Sequence, residues 1–274
     1  MRWSERQLAM LREMGLRVWP VGAAGSTDAQ PAPAVPTAST PAATTLADDV
    51  TIDLPPDPGD REAVRTSALP QAVQSGPRPA GVETMDWGAL REAVAKCTAC
   101  KLCHGRKQTV FGTGSTRAQW LIVGEAPGEQ EDLAGEPFVG KSGQLLDAML
   151  RSIGLTRGLA EPQHQVYIAN TIKCRPPGNR NPAPDELAQC EPFLIRQLAL
   201  LQPRIIVAMG RFAVQSLLRS TEPVGRLRGR VHRYQGVPLI VTYHPAYLLR
   251  NPEDKARAWD DLCLAVETAQ LAPP

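Results

Sequence analysis

The chain has 274 residues, 43% of them hydrophobic, and 30 Lys+Arg against 28 Asp+Glu give a formal net charge of +2. No uninterrupted apolar run approaches the ~18 residues a membrane span requires, and Arg2, Glu5, Arg6, Arg12 and Glu13 leave no room for a secretory hydrophobic region; a cytoplasmic protein is expected, not a transporter or a secreted disulfide scaffold. The charge is uneven, with 7 basic and 10 acidic side chains in residues 1–85 and 23 and 18 in residues 86–274, so a basic C-terminal part suited to a polyanion follows an acidic N-terminal one.

Residues 4–19 predict a short amphipathic helix that opens at Ser4, places Leu8, Leu11 and Met14 on one face and ends at Gly15. A helix of this length is marginal alone in water, so its apolar face requires a partner. Between Pro20 and Asp86 there is no Phe, Trp or Tyr, while 11 of the 26 prolines fall there. Such a segment buries too little to offset its ordering entropy, and residues 20–85 are expected to form a disordered linker. Residues 86–274 suffice for one domain with a substantial core. A helix is expected over 86–96, followed by four short apolar runs that predict buried strands at 120–123, 166–169, 205–208 and 239–242. Helical patterns occupy 140–153, 185–201, 211–218 and 253–269. This alternation predicts a three-layer α/β/α sandwich with a central, mainly parallel four-stranded sheet. Residues 231–237, turning at Gln235-Gly236, predict a hairpin ahead of the last strand.

In a doubly wound sheet, ligands bind in the crevice beyond the carboxyl ends of the strands. There the chain carries Gly124-Glu-Ala-Pro-Gly128, Asn170-Thr-Ile-Lys-Cys-Arg-Pro-Pro177, Met209-Gly-Arg211 and His244-Pro-Ala-Tyr-Leu-Leu-Arg250. Gly, Pro and Asn also end strands in ordinary turns, but four polar edges converging on one crevice favour a site. Six cysteines, at 97, 100, 103, 174, 190 and 263, all lie in the basic part. Four soft thiolates drawn from these suit tetrahedral zinc or an iron-sulfur cluster, and the cysteine spacing does not choose between the two. The run Cys97-x-x-Cys100-x-x-Cys103 also allows three ligands from one loop, with Cys174 or Cys190 as the fourth. Cys263, beside Leu262 and Val266, reads as a core residue.

Five motifs stand in a fixed order: Cys97-Thr-Ala-Cys100, Gly124-Glu-Ala-Pro-Gly-Glu-Gln-Glu-Asp132, Gly135-Glu-Pro-Phe-Val-Gly-Lys-Ser-Gly143, Tyr167-Ile-Ala-Asn-Thr-Ile-Lys-Cys-Arg-Pro-Pro177 and His244-Pro-Ala-Tyr-Leu-Leu-Arg250. Together, over residues 97–262, they resemble the family 4, iron-sulfur uracil-DNA glycosylases. A related branch that traps its product covalently has an Arg-Arg-Ile-His loop where this chain has Pro176-Pro-Gly-Asn-Arg-Asn-Pro182, so ordinary turnover is expected. The resemblance implies a 4Fe-4S cluster on Cys97, Cys100, Cys174 and Cys190, with Cys103 a spare thiol beside it. It also implies a monofunctional hydrolase that flips uracil out of deaminated DNA and cleaves its N-glycosidic bond.

That reaction must tell uracil from cytosine and accommodate negative charge as the bond breaks. An amide carries a donor and an acceptor, so Asn170 is expected to pair with O4 and N3–H of uracil, a pattern that cytosine reverses. Phe138 is expected to stack on the flipped base, and the backbone of Gly124, Glu125 and Ala126 to line its pocket. His244 is expected to donate to O2 as the uracil anion develops, which a neutral imidazole can do. Another branch positions the attacking water with an Asp where this chain has Ala126. Here Glu131 is expected to orient the water or fill the space of a thymine methyl, and Glu125 to buttress the loop. Lys173, Arg175, Arg180 and Arg250, with Lys141, Arg226, Arg228 and Arg230, are the expected DNA contacts, salt-sensitive and sequence-neutral. Leu248 or Leu249 is the expected wedge in the space left by the flipped nucleotide, unless both pack under the last helix.

The competing reading is a noncatalytic iron-sulfur or zinc module that binds nucleic acid. It accounts for the charge and the cysteines, but not for residues 124–128, Asn170 and His244 together. Residues 4–19 also resemble the start of the psi subunit of the bacterial replicase clamp loader, which docks on the chi subunit. The expectation is a monomeric enzyme whose N-terminal peptide reaches a replication protein, chi first, on a tether of ~66 residues with an r.m.s. span of roughly 40–50 Å. A helix folded back on the domain is the alternative.

Overall fold

The computed structural model describes residues 76–271, together with Glu13. The interaction helix expected over 4–19, Glu13 apart, and the linker up to residue 75 lie outside the described residues. Residues 76–85, placed in the linker above, pack on the domain instead. The Gly76 amide donates to the Thr98 carbonyl at 2.8 Å, Arg196 Nε donates to the Met85 carbonyl at 2.6 Å, and Val82 is buried with Leu90, Val94, Phe111 and Phe193. One buried valine and two backbone anchors fix a segment that has no aromatic residue.

Helix α1 (Trp87–Ala95) is capped by the Asp86 side chain, which accepts from the Ala89 amide at 2.8 Å. There follow β1 (Thr113–Gly114), β2 (Trp120–Gly124), α2 (Glu129–Ala134), α3 (Lys141–Ser152), β3 (Val166–Asn170) and α4 (Pro184–Leu201). The chain continues through β4 (Ile205–Met209), α5 (Arg211–Leu218), α6 (Val224–Leu227), β5 (Val231–Tyr234), β6 (Val237–Thr242), α7 (Pro245–Arg250) and α8 (Lys255–Leu271).

The strands form one sheet in the order β1-β3-β2-β4-β6-β5. Its centre is the expected set of four parallel strands, β3, β2, β4 and β6. The hairpin adds β5 antiparallel to β6, and β1 adds a second antiparallel edge on β3, so the sheet has six strands and not four. Two residues, one of them Gly114, carry no apolar pattern by which β1 could be read.

Side-chain alternation explains why the central strands read as unbroken apolar runs. Trp120, Ile122, Val166, Ile168, Ile205 and Val207 bury one face of the sheet with Leu146, Met149 and Leu150 of α3 and Trp259 and Leu262 of α8. Leu121, Val123, Tyr167, Ala169, Ile206 and Ala208 bury the other with Leu194 and Leu198 of α4 and Val214 and Leu217 of α5. Both faces are covered, giving the three-layer sandwich. Since β3 lies on one side of β2 and β4 on the other, the connections diverge and leave a crevice at the carboxyl ends of β2 and β4. No helix among the described residues is long and apolar enough to cross a membrane.

Candidate active site

A cleft of about 850 Å³ opens at those strand ends, lined by residues 125–128, Phe138, Asn170, Gly210, Arg211 and His244 among others. Gly124 and Asn170 are register partners on β2 and β3. A Cβ on Gly124 would fall 2.4 Å from Asn170 Oδ1 and 2.8 Å from the Phe138 ring, so only glycine lets these two side chains meet there. Asn170 is 3% exposed, and its Oδ1 has no hydrogen-bond partner. Leaving a buried polar group unpaired costs about 1–3 kcal/mol. At the wall of a cleft, that oxygen is a ready acceptor for a ligand N–H.

Phe138 is buried and holds a left-handed backbone (φ 57°), unusual for a bulky residue. Neighbouring contacts impose it. Arg157 Nη1 donates to the Pro137 carbonyl at 3.0 Å while its Nε donates to Asp147 at 2.7 Å, and the amides of Val139 and Gly140 donate to Glu131 Oε1 at 3.0 and 3.4 Å. The Phe138 ring stacks on the His244 imidazole, centroids 5.3 Å apart and planes 27° apart.

His244 caps α7, with Pro245 at its first position. Its Nδ1 accepts the Ala246 amide at 3.1 Å. Burial, helped by the charge of Arg250 and opposed by that of Glu131, pushes the imidazole down to about 4. At neutral pH the ring is therefore uncharged, and with Nδ1 accepting, its one proton sits on Nε2 as a donor. Gly210, with φ 86°, makes room for this residue: a Cβ there would lie 2.8 Å from His244 Cβ.

Both Glu125 and Glu131 line the cleft, in different surroundings. Glu131 is engaged by backbone, accepting from Gly128 (3.1 Å) as well as from Val139 and Gly140, which ties the loop after β2 to the Phe138 loop. Glu125 lines the cleft, and burial pushes its carboxyl up to about 7 against the opposing pull of Arg211.

The expected DNA contacts divide. Arg250 is exposed at the cleft, and Leu249 is 44% exposed. Arg180 lines the cleft but is held bidentately by the buried carboxylate of Glu186, at 2.6 and 2.9 Å. Arg175 is tied to Asn179 (2.8 Å) and Glu129 (3.4 Å), and Arg228 is paired with buried Asp261. Lys173 is withdrawn from the surface a DNA contact needs: it is 1% exposed, since the turn after β3 points its side chain inward to Gln197 and the Asn170 carbonyl. Leu248 is equally unsuited to a wedge, being 1% exposed in the core on the α3/α8 side of the sheet; helix α7 turns it inward and Leu249 outward.

Three further cleft residues carried weak signals in the sequence. Arg211 follows a strand-end glycine, and Tyr243, just before the His244 motif, stacks on Tyr247 within it at 5.1 Å and 17°.

The cysteines come together from four places. Cys97 follows α1, Cys100 opens a short 3-10 helix, Cys174 follows β3 and Cys190 sits on α4; all four, with Cys103, line one cavity. Arg106 Nη1 donates to Cys174 Sγ at 3.1 Å, and the Lys173 amide donates to Cys190 Sγ at 3.3 Å. Burial pushes the Cys174 thiol up to about 11 and Cys190 up to about 12, so thiolates there need cationic partners. Among the described residues no three His, Cys, Asp or Glu side chains gather closely enough to hold a single metal ion.

A sequence profile of the uracil DNA glycosylase superfamily matches residues 111–263. The type-4 uracil-DNA glycosylase of Pyrobaculum aerophilum is 41% identical over 190 residues, 66% of this chain and 93% of that one. That of Archaeoglobus fulgidus is 42% identical over 180 residues, 63% and 86% of the two chains, and that of Thermotoga maritima 42% over 170 residues, 61% and 85%. Agreement over nearly the whole of these relatives, on a sheet whose crevice brings together the same motifs, places the chain in the uracil-DNA glycosylase superfamily, as a member of its type-4 branch.

Proposed function

We infer that the protein excises uracil from deaminated DNA by hydrolysing the N-glycosidic bond of a flipped nucleotide, leaving an abasic site for base excision repair. The observation that carries this reading is the unpaired Oδ1 of Asn170, 3% exposed beside Gly124 and Phe138. Uracil N3–H is the donor this oxygen lacks, and the Asn170 amide nitrogen would serve O4; cytosine offers the reverse pattern. Phe138 would stack on the base, and the Nε2–H of neutral His244 would stabilise charge on O2 as the bond breaks. Glu125 would orient the attacking water or take its proton, with Glu131 holding the two loops in place. Arg250 and Arg211 would meet phosphates, and Leu249 would fill the vacated stack.

Cys97, Cys100, Cys174 and Cys190 fit a 4Fe-4S cluster. All the donors are soft thiolates lining one cavity, and two N–H groups point at their sulfurs, as such a cluster's ligands favour. When bound, the cluster supplies a covalent staple, since N-glycosidic hydrolysis transfers no electron. Residues 4–19 are proposed as a docking peptide for the clamp-loader chi subunit on an otherwise monomeric, cytoplasmic enzyme. A pull-down of chi by the full chain but not by one lacking residues 1–75 tests that proposal. For the main reading, a uracil-containing oligonucleotide is incubated with protein and treated with alkali. Strand cleavage at uracil that disappears in Asn170→Ala supports it, and no cleavage by iron-loaded wild type overturns it.

A further inference from the structure

Lys173 lies one residue before Cys174, and hydrogen bonds tie down its amide and its side chain. Its amide donates to Cys190 Sγ at 3.3 Å, and its Nζ donates to the Asn170 carbonyl at 2.8 Å and to Gln197 Oε1 at 2.7 Å. Gln197, wholly buried, is itself fixed by its Nε2 on the Phe111 carbonyl (3.0 Å) and the Tyr167 hydroxyl (3.3 Å). Both acceptors of Lys173 Nζ are neutral, and its backbone leads directly into Cys174 while its amide donates to Cys190 Sγ, so it stands against two of the cysteines. A buried ammonium among neutral carbonyls is unfavourable unless negative charge compensates it. On an iron-sulfur cluster the four thiolates outweigh the positive core, so Lys173 would have its counter-charge at those two sulfurs.

The other end of the network reaches the base-reading strand. The peptide whose carbonyl Lys173 holds continues into Thr171 and Ile172, whose amides donate to the Gly124 and Glu125 carbonyls at 3.0 and 3.2 Å, while Thr171 Oγ1 donates to the Glu125 carbonyl at 2.6 Å. Fixing that carbonyl fixes the end of β3, the loop beside it and the direction of the Asn170 amide.

We propose that Lys173 is a positioning residue that couples the cysteine site to uracil recognition, its backbone seated against Cys174 and Cys190 and its Nζ clamping the Asn170 carbonyl. The proposal rests on the uracil-excision reading above. It explains why a basic residue beside the DNA-facing loops points inward, and it makes loss of the metal centre a loss of base reading and not of DNA affinity.

The test uses the full chain, with iron content and visible absorbance matched between variants. Lys173→Met is expected to slow single-turnover excision ~10–100-fold, the usual cost of losing a residue that orients a site through a metal centre's outer shell. Binding to an abasic oligonucleotide should stay within about 3-fold, which is the limit expected of a side chain making no phosphate contact. In an Asn170→Ala background the same substitution should change the rate by less than about 3-fold, because both act through one interaction. Removing a positive charge beside the cluster should also make its reduction potential more negative. Loaded Lys173→Met that excises at the wild-type rate, loses equally in both backgrounds, or keeps the wild-type potential overturns the proposal. Should Lys173→Met fail to load iron, Gln197→Met, which removes one of the two Nζ acceptors, carries the same cycle: slower excision only with Asn170 present supports the coupling, and unchanged excision overturns it. Wild type inactive on uracil would instead overturn the functional reading itself.

Discussion

Glu125→Gln should make the protein more stable and less active, and the two effects should depend on pH in the same window. Burial holds the Glu125 carboxyl at about 7 in place of its ordinary 4.5. Below pH 4.5 the group is protonated folded or unfolded, and the difference contributes nothing. Between 4.5 and 7 the folded protein keeps a proton that the unfolded chain has released, so stability falls as pH rises through this window. At about 1.4 kcal/mol per pKa unit, and allowing for the group's contact with solvent, the full penalty above pH 7 is about 1–3 kcal/mol. Glutamine removes it. Thermal melts at equal cluster loading should show Glu125→Gln more stable at pH 8 by this amount, with a smaller gain at pH 5.5. Single-turnover excision by wild type should rise through about pH 7, while the variant shows a flat profile about 10²–10⁴-fold lower at pH 8, the range for losing a positioned acid or base. A gain over wild type no larger at pH 8 than at 5.5, or a variant that retains the wild-type rate and pH slope, would refute the argument that a buried carboxyl at this place handles the water.

Other consequences follow from the same geometry. His244→Ala should lose about 2.7–4 kcal/mol of transition-state stabilisation, or roughly 10²–10³ in single-turnover rate. Because its imidazole is held at about 4, His244 should add no inflection to the wild-type rate between pH 5 and 8, and it should contribute stability that is lost as pH falls from 6.5 towards 4, detectable in pH-dependent melts. Glu131→Ala leaves the amides of Gly128, Val139 and Gly140 without their acceptor, so melts should show a loss of about 1–3 kcal/mol or more, with slower excision. Gly124→Ala drives a methyl into Asn170 Oδ1 and the Phe138 ring, and excision should fall while affinity for abasic product is kept, as measured by fluorescence anisotropy. Cys190→Ala should fail to retain iron and unfold at lower temperature than wild type, measured by metal analysis and melts.

Much of the fold could be read before any coordinates, because burial on both faces forces the central strands into unbroken apolar runs such as Ile205–Met209 and leaves helices only amphipathic patterns. What escaped has little pattern to offer. Strand β1 is two residues long, and α7 opens on a His-Pro pair that reads as a turn, although Pro245 at the first helical position is a helix signal. Within the site, residue type and motif indicated which residues gather at the cleft but not where each side chain turns. Lys173 carries the charge of a phosphate contact, and its burial depends on Gln197, 24 positions away; Glu125 and Glu131 are chemically alike, and only the backbone amides around Glu131 separate their roles. Leu248 and Leu249 are adjacent in the chain, and the hundred-degree step of a helix sends one to the core and the other to solvent.

The central claim is that Asn170 reads a flipped uracil in the cleft at the ends of β2 and β3. The most direct measurement places otherwise identical oligonucleotides carrying uracil, cytosine or thymine at one position before iron-loaded full chain, in enzyme excess, with abasic sites revealed by alkali. The account predicts cleavage at uracil alone, abolished by Asn170→Ala with binding to abasic product retained. Equal excision in Asn170→Ala, or none at all by the loaded wild type, would contradict it.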